Sequence, residues 1–150
     1  MRRAPYSYRH DPAGPHFPDD RPLVLFDGDC ALCSASAREI LKHDRAGRFR
    51  LAPTQSVLGR ALLVHYGVDP DDPSTMLLIQ DGVAWDRSEA VLAIAAQLPA
   101  YRWAGAGRIV PPFVRNVVYD AVARRRRRIP GPTWCAMPPS GVDVADRVLG

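Results

Sequence analysis

Lysine is almost missing from this chain of 150 residues: Lys42 is the only one, and every other basic side chain is arginine. Such usage suits a GC-rich bacterial genome and carries no information about fold. Cysteine is scarce as well. Cys30, Cys33 and Cys135 are too few for a disulfide framework, and an odd count outside a secreted setting points to reactive or metal-binding roles. No second C-x-x-C and no His-x-x-x-His accompanies them, and His10, His16, His43 and His65 lie far apart. A zinc site needs four nitrogen or sulfur donors, so neither a metal nor a cofactor is expected.

Long apolar runs are also lacking. The most apolar late stretch, Ile109 to Val122, is broken by Pro111, Pro112, Arg115, Asn116 and Asp120, and no segment reaches the length of a membrane span. Met1 to Asp20 carries four prolines and no apolar core after Arg2-Arg3, which argues against a secretory signal or an anchor. The expected compartment is the cytoplasm. There is no internal repeat, and no heptad pattern fixes an oligomeric state. The net charge of +4 rests on one place, because Arg124 to Arg128 supply five positive charges and the remainder is slightly acidic. That run ends a helix pattern and lacks interleaved aromatics, so it reads as a solvated helix end rather than a nucleic-acid site.

What the chain does have is one dense motif. Leu23-Val24-Leu25-Phe26 is a short apolar run between Pro22 and Asp27-Gly28, as a buried strand requires. Cys30-Ala31-Leu32-Cys33 follows where a helix begins, with Cys33, Ala37, Ile40 and Leu41 on its apolar side. Two thiols three apart share one helix face, and at the positive end of the helix a thiolate is stabilised. A C-x-x-C in a strand-turn-helix setting is a thioredoxin-like redox site. Cys30, expected to be the more exposed, is assigned as nucleophile, and Cys33 as the resolving thiol. Asp27 either relays the proton of a buried thiol or caps the turn amides of 27–30. Gly28 is expected to supply a positive φ in that turn.

Further along, Phe49 to Ala52 reads as a second strand and Ser56 to Tyr66 as a helix stopped by Gly67. Met76 to Gln80 and Val83 to Trp85 flank Asp81-Gly82 as a hairpin, and a helix follows from Ser88, its expected N-cap, to Leu98. Pro112 to Arg126 is another helix, and a short one is expected at Val142 to Val148. Trp85, Trp103 and Trp134 read as packing residues, with Trp134 bordering the site. The fold class is α/β, thioredoxin-like: a small mixed β-sheet flanked by helices, with a helical C-terminal extension. Residues 1–20 read as a flexible arm, 21–129 as the domain with its late helix, and 130–150 as a tail holding the third cysteine.

With Asp27, Cys30 and Cys33 in place, the chain resembles the DCC family of thiol-disulfide oxidoreductases. The likeness runs from about Leu23 to Met137. It takes in Thr54-Gln55-Ser56, Ser74-Thr75, Arg87-Ser88-Glu89-Ala90, the stretch Arg115 to Asp120, and Cys135-Ala136-Met137-Pro138. The resemblance implies a thioredoxin-like fold and disulfide oxidoreductase activity on a disulfide or dithiol substrate, with no substrate or electron donor specified. Two departures from thioredoxin itself stand out. Ala31-Leu32 replaces Gly-Pro between the cysteines, and the place of the cis-proline falls at Ser74, one position after Pro73. Either Pro73 is shifted, or Ser74 and Thr75 line the substrate side together with Gly28. Cys135 reads as a packed residue, a third exchange thiol, or, with Cys30 and Cys33, part of a non-catalytic metal-binding or redox-sensitive docking module.

Overall fold

The computed structural model describes Pro12 and residues 14–73, 75–134 and 144–150. Four short strands form one sheet in the order β2-β1-β3-β4: β1 Leu23–Phe26, β2 Arg50–Pro53, β3 Leu77–Gln80 and β4 Val83–Asp86. β1 pairs parallel with β2 through the helix between them, and antiparallel with β3, while β3 and β4 make the hairpin. Asp81 and Gly82 both have positive φ, 52° and 76°, which is what an Asp-Gly hairpin turn demands.

Alternation along β1 feeds two cores. Val24 and Phe26 pack with Ala37, Ile40 and Leu41 of α1 (Ala31–His43) and with Ala90 and Ile94 of α3 (Arg87–Gln97). Leu23 and Leu25 face the other way, onto Leu62, Leu63 and Tyr66 of α2 (Val57–His65). Helices therefore cover both faces of the sheet, as in a thioredoxin-like fold. Gly59 of α2 lies so close to β2 that an added Cβ would sit 2.2 Å from the Pro53 carbonyl oxygen. α4 (Pro112–Arg125) follows a 3-10 segment at Pro99–Ile109, where the sequence showed only a Gly-containing stretch. The short α5 (Val144–Arg147) returns to the sheet edge, where Arg147 pairs at 2.6 Å with the buried Asp44.

Two local expectations are corrected. α3 starts at Arg87 with Asp86 at the N-cap position, and no side chain caps it. Ser88 instead donates its hydroxyl to Asn116 of α4 at 2.7 Å, a contact between distant segments that local sequence rules do not see. Gly28 does not have a positive φ. Its place in the turn is used for close hydrogen bonding: its N–H donates to Gln55 at 2.9 Å, and its carbonyl accepts from Trp134 N–H and the Ser34 hydroxyl.

Candidate functional site

The C-terminal ends of the parallel pair β1 and β2 lie side by side, which brings residues 27–30 next to residues 54–56. α1 begins in that corner. Cys30 is its N-cap, in extended backbone, and the Cys30 sulfur accepts the Cys33 amide at 3.4 Å. The two cysteines come within 3.2 Å of each other and are unbridged. The Cys30 sulfur thus faces an amide donor in the first turn of α1.

Cys33 is different. Burial pushes its thiol from the ordinary 9.0 up to about 12; the hydrogen bond to Cys30 pushes the same way, and the Arg126 guanidinium opposes both. Cys33 is thus a neutral thiol at physiological pH. The expected contrast in exposure is corrected: Cys30 is only 2% exposed and Cys33 8%. The reason is the segment 129–134, which folds over the start of α1, with Gly131 so near that a Cβ would lie 3.2 Å from that of Ala31.

Each cysteine borders its own cavity. Cys30 lies on a polar one of about 540 Å³ with Asp27, Asp29, Gln55, Arg60 and Arg127 on its walls. Cys33 lies on an apolar one of about 530 Å³ between α1, α3 and α4, lined by Leu32, Met76, Val91, Val118 and Val122.

Asp27 is buried and held from three directions. It accepts the Asp29 amide at 3.1 Å and the Gln55 side-chain amide at 2.8 Å, and its second oxygen lies 3.5 Å from Arg126. The turn-capping reading is therefore observed, and the position against Arg126 is additional. Arg126 itself is 5% exposed: one guanidinium nitrogen reaches the Cys33 sulfur at 3.4 Å, and the other donates to the Pro73 carbonyl. The expectation of a wholly solvated arginine run is corrected at this residue. Arg124, Arg125 and Arg128 are exposed, and Arg127 pairs with Asp72 at 2.6 Å.

Sequence reasoning missed two site residues. Gln55 ties Asp27, Gly28 and Asp29 together, and the adjacency of the two parallel strand ends was the signal for it. Arg126 was hidden among identical neighbours; its helical spacing from Arg115 and Tyr119, just past the end of α4, was the available cue. Of the residues expected on the substrate side, Thr75 is buried. Its hydroxyl accepts the Arg87 amide at 3.0 Å and meets the Tyr119 hydroxyl at 3.3 Å, and it lines neither cavity beside the cysteines. No cis peptide bond occurs among the described residues, and Pro73 borders the Cys30 cavity. Ser74 and Cys135 lie outside the described residues. Trp134 packs edge-on against Phe26, with ring centres 4.9 Å apart. Among the described residues no three His, Cys, Asp or Glu side chains gather in a way that would hold a metal ion.

Strand, turn, helix-capping cysteine and buried partner cysteine bring two thiols together at the start of a helix in a thioredoxin-like fold. Residues 24–132 match the DCC1-like thiol-disulfide oxidoreductase family, and the chain belongs to it. It is similar to the chloroplastic DCC family protein At1g52590 of Arabidopsis thaliana, 38% identical over 72% of this chain and 64% of that protein. It is also similar to the uncharacterized protein YuxK of Bacillus subtilis, 31% identical over 69% of this chain and 77% of that one. The chain thus spans just under two thirds of its plant relative. No solved structure matches it. No helix among the described residues is long and apolar enough to cross a membrane.

Proposed function

We propose that the chain is a thiol-disulfide oxidoreductase that attacks its substrate disulfide through Cys30 and resolves through Cys33. The observation that carries this reading is the unequal setting of the two sulfurs. Cys30 receives an amide at the helix end and borders a polar cavity, whereas Cys33 is a neutral thiol beneath it. The Cys30 thiolate attacks one substrate sulfur, forming a mixed disulfide and releasing the other as a thiolate. Cys33 then loses its proton, attacks the Cys30 sulfur and releases the second substrate thiolate. Two electrons pass to the substrate, and a Cys30–Cys33 disulfide remains.

Arg126 acts on the second step by favouring charge on Cys33. Asp27, held against the same guanidinium, is the carboxylate that receives the proton. The substrate is a protein or small-molecule disulfide that reaches Cys30 through the polar cavity. Placement in the cytoplasm, a reducing compartment that keeps thiols available for exchange, is part of the proposal. Reduction of insulin by the dithiothreitol-coupled protein tests the reading. Cys30→Ser is expected to abolish turnover, and unchanged turnover in that variant would refute the assignment.

A further inference from the structure

α4 is seated loosely for a surface helix: Val114, Val118 and Val122 line the apolar cavity beside Cys33 without being buried. It holds the domain through polar groups: Asn116 to Ser88, Tyr119 to the Met76 amide at 3.1 Å, and Arg126 just beyond its end to Pro73 and Asp27. No residue of α4 is buried. Its outward side is apolar at Phe113, 71% exposed, and Val117, 66% exposed, whereas Val114, Val118 and Val122 turn toward the apolar cavity beside Cys33. The preceding 3-10 segment continues that surface with Trp103 and Ile109, the latter 86% exposed. Around this apolar surface sit the exposed Arg102, Arg108, Arg124, Arg125 and Arg128. Residues 101–128 hold eight arginines and one acidic residue, Asp120, which already faces Arg87 at 3.6 Å.

We infer that this face docks on an anionic lipid surface, with α4 lying in the headgroup layer. Exposed apolar side chains ringed by arginines match what an interfacial helix presents to anionic lipid. The charge decides among occupants. A second copy would bring a like-charged surface against this one, and a nucleic acid would find two rings for stacking, Trp103 and Phe113, set among aliphatic side chains. The arginines meet anionic headgroups, while Phe113, Val117, Ile109 and Trp103 enter the acyl boundary. The chain would lie on the membrane and not span it, in keeping with the absence of a spanning helix among the described residues.

The test is co-sedimentation of the full chain with vesicles of phosphatidylcholine alone and of phosphatidylcholine with phosphatidylglycerol, at low and high salt. Binding to the anionic vesicles is expected to exceed binding to the neutral ones by at least about tenfold and to fall with salt. Arg124→Gln and Arg125→Gln should each weaken it by about fivefold. Phe113→Ser with Val117→Ser should remove it while leaving the circular dichroism spectrum and insulin reduction unchanged, since these side chains touch neither sulfur. Equal binding to both vesicles, no binding to either, a lipid-independent dimer lost in Phe113→Ser, or a preference for RNA over anionic vesicles would each overturn the inference.

Discussion

Two helices deliver the groups around the sulfurs, and they are fastened by opposite means. α1 carries Cys33 into place on a side chain stripe of Ala37, Ile40 and Leu41, all buried against β1. α4 reaches the same sulfur with Arg126, yet it is attached by hydrogen bonds and an ion pair and buries none of its own residues. Apolar packing fixes α1 over its whole length, because every buried side chain resists displacement. Polar contacts fix α4 at a few points. The dithiol is therefore set in a rigid frame, and the guanidinium that acts on Cys33 arrives on a more loosely fastened element.

Substitutions on the two helices should separate these modes of attachment. Ile40→Ala on α1 is expected to cost about 2–5 kcal/mol of unfolding free energy, read from urea midpoints. Arg126→Met should cost about 2 kcal/mol by leaving the Asp27 carboxylate without its cation, and should slow resolution of the mixed disulfide; Arg126→Lys should restore part of both. Tyr119→Phe removes only the hydroxyl at Met76 and is expected to cost about 1 kcal/mol. If Tyr119→Phe destabilised as much as Ile40→Ala, the contrast between the helices would fail.

A pH series sharpens the same contrast at the sulfur itself. The folded Cys33 thiol holds its proton up to about 12, while the unfolded chain releases it near 9.0. The stability gained by keeping Cys33 neutral is present below about pH 9 and is lost as pH rises toward 12. Between pH 9 and 11 the wild-type protein should lose about 2 kcal/mol more than Cys33→Ala, measured by urea unfolding at each pH.

The contrast also explains what the sequence reveals. The α1 side was legible because burial leaves a periodic trace: the β1 run, the stripe from Cys33 to Leu41, and the Asp-Gly turn each report a local rule. The dithiol and its helix-end position came with them. The α4 side was not legible. Arg126 is chemically identical to its four neighbours in the run, and only the chain's path over residues 73–76 makes it the buried one. Gln55 was hidden for a related reason, since Asp27, Gly28 and Asp29, which it ties together, lie 26 to 28 residues away. The solvent-facing Cys30 was a false expectation, because the segment that covers it comes about 100 residues later.

The central claim is the division of labour between the two cysteines, and single-thiol trapping tests it most directly. In a Cys135→Ser background, Cys33→Ser and Cys30→Ser are each mixed with an aromatic disulfide at pH 7, and the released thiol is followed by absorbance with peptide mapping of the adduct. The account predicts fast release and a stable mixed disulfide on Cys30 in Cys33→Ser, with Cys30→Ser slower by at least about a hundredfold. Fast trapping on Cys33 in Cys30→Ser, with Cys30 inert, would contradict it.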